Sequence, residues 1–203
     1  GLDIDDLGGA VAVEIGEPRV TILEDRVLAL GQFARRTIRE AHHEALRLVG
    51  RWLPMAVAAP GDLAARSGML LAAALAGIGI DNAGTALAHN IGHALASLAP
   101  IHHGRAVGIA MAATLAWTSD VEDGGRCAAA AAALGRQAGL ADAFRGLCAE
   151  VGFDLVLAVD VSPERLAAQM ARPENAPMRL STRRTVRDED LLPLARRVLG
   201  GHG

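Results

Sequence analysis

Apolar positions recur at helical spacing along most of the 203-residue chain. In residues 35–53, RRTIREAHHEALRLVGRWL, Ile38, Leu46, Val49 and Leu53 share one helical face, with Arg and Glu opposite. Pro54 and Pro60 bracket a predicted break. Asp62 is placed to cap a long helix, DLAARSGMLLAAALAGIGI. That helix is apolar almost all round and is therefore expected to be central. A helix at about 84–98 stops at Pro100, and another runs at about 104–117. Ala-rich helices are predicted at 123–136 and 139–151, separated by Gly135 and Gly139. Ser162-Pro163-Glu164 carries N-cap and first-turn signals for a helix to about 172. Thr185 to Asp188 reads as a capping box for the last helix, which ends before Gly200-Gly201. The sum is about eight helices and an all-α, bundle-like domain over residues 24–203.

Residues 1–23 break this pattern. GGAVAVEIGEPRVTIL alternates apolar and β-branched residues between Gly and Pro, which predicts one or two short β-strands or an extended arm.

Composition narrows the class. Half the residues are apolar and only 2% are aromatic. The chain is therefore not disordered, and its core must be built from small aliphatic side chains that suit close helix packing. Twenty basic and twenty-three acidic residues are mixed along the chain, for a net charge of −3. All the basic residues are Arg, and no basic cluster is interleaved with aromatics, which argues against a nucleic-acid surface. The longest apolar runs, 69–80 and 106–117, hold 12 residues each. Both fall short of the roughly 20 that a spanning helix needs, so a soluble protein without a membrane partner is expected. GLDIDDLGG lacks the features of a signal peptide, and Cys127 and Cys148 are not in CxxC spacing. Reduced thiols and a cytoplasmic location are the expectation.

Candidate chemistry concentrates in residues 84–108, GTALAHNIGHALASLAPIHHGRAVG, which hold four of the seven histidines. His89 and His93 are four apart and share a helical face. His103 follows beyond Pro100, where a tight turn would return it beside His89. Imidazole is the commonest ligand for Zn, Fe, Cu and Ni. The plain alternative is that a His pair at this spacing is surface decoration or a satisfied core pair. HNIGH lacks the glutamate of HExxH, so a zinc-protease reading fails. His42 and His43 point to different faces of a charged helix and are expected to be solvated.

The stretch AGIGIDNAGTALAHNIGHALASLAPIHHG resembles the signature of the iron-containing (group III) alcohol dehydrogenases. That signature has small residues, His-x3-His, about nine residues, then a Pro-His-Gly turn. The matching elements are Asn82-Ala83-Gly84, His89, His93 and His103-Gly104. Residues 44–77 and 178–199 resemble the flanking helices, so the resemblance covers roughly 38–199.

The resemblance implies the helical C-terminal domain of an enzyme that passes hydride between an alcohol or aldehyde and NAD(P). In that family a Rossmann-like N-terminal half binds the nicotinamide. The helical half binds Fe²⁺ or Zn²⁺ through an Asp-x3-His pair and two later histidines. By this resemblance His89 and His103 are metal ligands. His93 matches a histidine beside the reacting carbon, and Asn82 and Gly84 shape the nearby helix start. The metal would act as a Lewis acid, and an imidazole at His93 suits a proton relay.

Three departures accompany the resemblance. No GGGS-like or GxGxxG stretch is present, so NAD(P) enters only if a cofactor-binding half is supplied. The chain is then expected to be a fragment or a truncated relative. The Asp-x3-His pair is broken: Asp3 is followed by Leu7 in the histidine position, and Asp25 by Ala29. Distance to the helix at 44 favours Asp25 as the carboxylate ligand, with a solvated helix-start acid as the alternative. The turn reads Ile101-His102-His103-Gly104, with one extra imidazole. Two further readings stay open: a non-catalytic module that binds a partner or its own copy through an apolar face, and a metal-binding protein without redox chemistry.

Overall fold

A computed structural model describes the backbone of residues 18–121 and 124–200, and the side chains from residue 38 onward within them. Among the described residues are nine α-helices, one 3-10 turn and no strand, as the all-α reading requires. The chain divides into two units, Gly1–Glu40 and Ala41–Gly203; helix α1 spans Pro18–Ala58.

Helix α1 begins earlier than expected. Residues 18–23 belong to it and not to an arm, because Pro18 at its start sets a helical φ and lacks only an N–H that would have no partner there. The remainder of the expected arm, residues 1–17, lies outside the described residues. Pro54 does not break the chain either, since it sits inside α1. It forfeits one hydrogen bond, and Val49 and Leu53 of the preceding turn are held in an apolar cluster.

Helix α2 (Leu63–Ala83) starts where predicted. The Asp62 carboxylate accepts from the N–H groups of Ala64, at 2.8 Å, and Ala65, at 3.1 Å. It pairs with α1 through small residues: Gly68 lies against the Trp52 ring and Gly79 against the His42 ring. These contacts run in opposite chain directions, so the two helices form an antiparallel hairpin. Ala65, Ala72 and Gly79, seven residues apart, are buried, whereas Leu63, Leu70, Leu71, Ile78 and Ile80 are exposed. The helix expected to be central is therefore peripheral. A helix apolar all round does not reveal which face its neighbours cover. It is also longer than its 12-residue apolar run, and by length and composition alone it is long and apolar enough to cross a membrane.

The main core belongs to other helices. Helix α3 (Leu87–Leu98) packs on α4 (His103–Ser119), α7 (Pro163–Met170) and α8 (Ala176–Leu180). Helix α9 (Asp188–Leu199) closes over α4 and α7. Leu87, Ile91 and Leu95 of α3 are buried with Ile109, Leu166, Met170, Leu194 and Val198. A smaller cluster joins α5 (Arg126–Ala133) and α6 (Leu140–Glu150) to Leu46, Val49 and Leu53 of α1. Ser162 caps α7 as predicted, its Oγ accepting from the Arg165 N–H at 3.2 Å. The last helix starts later than predicted: Asp190 Oδ2 accepts from the Arg187 N–H at 2.8 Å, which moves the cap beyond Thr185.

Candidate metal centre

The histidine helix α3 has no local cap, because its N-cap residue is Ala86. A distant segment serves instead. The Leu87 N–H donates to Thr182 Oγ1 at 2.9 Å, and that hydroxyl donates to the Met178 carbonyl at 3.0 Å. Ser181 Oγ donates to the Thr85 carbonyl. Before this start, α2 ends at Gly84, whose φ of +73° favours glycine and whose N–H bonds the Ile80 carbonyl at 2.8 Å. Asn82 stands in the last turn of α2, donating to the Ile78 carbonyl at 2.7 Å, and so belongs to that helix's end.

Asn90, between the two histidines in sequence, is fully buried. Its Nδ2 donates to the carbonyls of Met170, at 3.0 Å, and Asn175, at 3.1 Å. This ties α3 to the link between α7 and α8 and fixes the rotation of the helix. His89 is left half-buried and His93 exposed.

The return predicted for His103 is present. The chain turns at Pro100, and His102 caps α4 by accepting the Gly104 N–H on Nδ1 at 3.2 Å. That is the role of the extra imidazole. The His103 ring stands 5.7 Å from the His89 ring and 4.8 Å, edge-on, from the His93 ring. Burial, followed by the neighbouring His103 and His93, holds the His89 imidazole below its ordinary pKa. A neutral imidazole is the form that binds metal.

The histidine end of the cluster thus has donors of the right chemistry in one place. The carboxylate end is not among the described side chains: Asp25 lies on α1 with its side chain outside them, and Asp3 precedes them. Among the described residues, no group of three His, Cys, Asp or Glu is arranged to hold a metal ion. His42 and His43 are half-buried where full solvation was expected, and Gly79 lets α2 approach the His42 ring. The positioning residues Asn90, Thr182, Ser181 and His102 go beyond the sequence reading. Only Asn90 leaves a local signal, as a lone amide in an apolar helix.

Known proteins resemble the chain in sequence and in fold. The model of the Fe-containing alcohol dehydrogenase family, C-terminal, matches residues 34–197. The mitochondrial hydroxyacid-oxoacid transhydrogenase of Rattus norvegicus is 50% identical over 54 residues, which is 27% of this chain and 12% of that protein. A long-chain primary alcohol dehydrogenase of Thermoanaerobacter ethanolicus is 42% identical over 73 residues, 36% of this chain and 18% of that protein. In fold, the chain resembles the iron-containing alcohol dehydrogenase of Thermococcus thioreducens, with a TM-score of 0.68 at 24% identity. That likeness covers 81% of this chain and 44% of the other. A 1,3-propanediol oxidoreductase gives a TM-score of 0.71 at 23% identity, over 80% of this chain and 45% of that one. The chain spans less than half the length of each of these relatives.

Proposed function

Because this chain belongs to the Fe-containing alcohol dehydrogenase family, through that family's C-terminal domain, we propose that it is the metal-binding helical half of an NAD(P)-dependent alcohol dehydrogenase. Its substrate is a small alcohol or aldehyde. The observation that carries this reading is the meeting of His89, His93 and His103 at the turn between α3 and α4.

His89 and His103 would hold the metal. Bound Fe²⁺ or Zn²⁺ provides Lewis-acid polarisation of the substrate oxygen. His93, exposed beside the His103 ring, takes the hydroxyl proton of an alcohol on an imidazole nitrogen and returns it to an aldehyde-derived oxygen. The buried Asn90 and the Thr182 cap hold these imidazoles in register. The nicotinamide comes from a cofactor-binding half, and Cys127 and Cys148, in the thiol form, suit a reducing cytoplasm.

Titration with Co²⁺ tests the assignment. We expect d–d absorption bands that saturate near one equivalent and are lost in His103→Ala. Equal spectra from both proteins would sink it.

A second reading rests on the exposed apolar face of α2, formed by Leu63, Leu70, Leu71 and Ile78. In it the chain is a non-catalytic module whose face covers a second copy or a partner domain. A monomer at all concentrations that gives the cobalt spectrum would remove that reading.

A further inference from the structure

A cavity of about 370 Å³ lies between α1, the first turns of α4 and the end of α6. Leu147 and Cys148 are buried at its floor, and Val57, Gly104 and Gly152 are exposed at its rim. Its volume is at the lower end of small-ligand sites, roughly 300–1,000 Å³. Among the described lining residues, the Cys148 thiol is the one side chain that can donate or accept a hydrogen bond. Burial pushes that thiol up in pKa, so it stays uncharged. A charged or strongly polar ligand would lose its hydration here without finding a partner. Water gains little against such walls, whereas a hydrocarbon gains contacts along them. The rim includes Gly104, the residue next to His103.

We propose that this cavity is a site for an unbranched hydrocarbon chain: it takes the tail of an aliphatic alcohol or aldehyde, with the oxygen left at the Gly104 rim. The proposal rests on the metal-site reading for the direction of the oxygen, but the cavity and its apolar lining are independent of it. It narrows the substrate class to chains of several methylenes, because a one- or two-carbon alcohol leaves the cavity empty.

The test uses 1-butanol, 1-hexanol and 1-octanol with the full chain and no cofactor. Alkylation of Cys148 by iodoacetamide is followed by peptide mass spectrometry, with Cys127 as internal reference. Protection of Cys148 is expected to strengthen about fourfold per added methylene until the cavity is full. Filling the cavity with Val151→Phe should abolish protection, and Val49→Phe does the same from the opposite wall if the first variant fails to fold. His89→Ala should leave protection intact. Protection that ignores chain length, or that survives both filling variants, overturns the proposal. Absence of protection in the unaltered chain also overturns it, while the cobalt titration decides the metal site independently.

Discussion

Gly92 lies against Val107 where α3 crosses α4. A Cβ on Gly92 would fall 2.5 Å from Val107 Cγ2 and 3.1 Å from its backbone nitrogen. This crossing sets the helices close enough for His103 to stand beside His89 and His93.

Gly92→Ala should therefore act on both stability and site. Rotating Val107 relieves the methyl contact but not the backbone one, so the helices must separate. Overpacking of this kind costs about 1–3 kcal/mol. Urea denaturation should show that loss, and weaker metal binding should accompany it. An unchanged midpoint would contradict the tight crossing.

Asn90→Ala should destabilise the chain by about 1–3 kcal/mol, because it strips buried carbonyls of Met170 and Asn175 of their donor. Asn90→Asp should be worse than Ala, since it sets a carboxylate oxygen against those carbonyls. Chemical denaturation of the two variants gives the order. The reverse order would contradict the assignment of Nδ2 as the buried donor.

Thr182→Val keeps the shape of the side chain and removes the hydroxyl that joins Leu87 to Met178. The buried N–H then lacks a partner, at a cost of about 1–3 kcal/mol. Thr182→Ser should recover most of the loss. Equal stability of the Val and Ser variants would show that α3 is not capped from this distance.

His89 gives the chain a pH dependence. Its folded pKa lies below the unfolded value of 6.5, so the unfolded chain binds more protons between the two. The neutral imidazole's contribution to stability is complete above pH 6.5 and is lost as pH falls through the folded pKa. In metal-free protein, unfolding free energy should therefore drop on acidification below about 6.5. His89→Gln should flatten that slope. An NMR titration that places His89 above 6.5 would contradict the sign.

The sequence and the structure agree most closely where signals are local. Asp62 and Ser162 announce their caps, and the spacing of His89, His93 and His103 announces a cluster at one turn. Long-range effects are hidden. Thr182 caps α3 from 95 residues away, which no local pattern encodes. Asn90 reaches carbonyls 80 and 85 residues distant. Helix α2 is peripheral against expectation for a related reason: its small and large apolar residues look alike by hydropathy, yet the ones it buries are the small Ala65, Ala72 and Gly79. Pro54 misleads in the other direction, because a proline that ends an isolated helix can be tolerated where packing holds the flanking turns. His102 needs the structure as well, since an imidazole used as an N-cap has no distinctive spacing.

The proposed function stands or falls with the binding of a divalent metal by His89 and His103. Elemental analysis of the purified chain beside its His89→Ala and His103→Ala variants tests it most directly. Near one equivalent of Fe or Zn is expected in the unaltered chain, with its loss in both variants. Metal retained by both variants, or absent from the unaltered chain even after anaerobic reconstitution with Fe²⁺ or Zn²⁺, would contradict it.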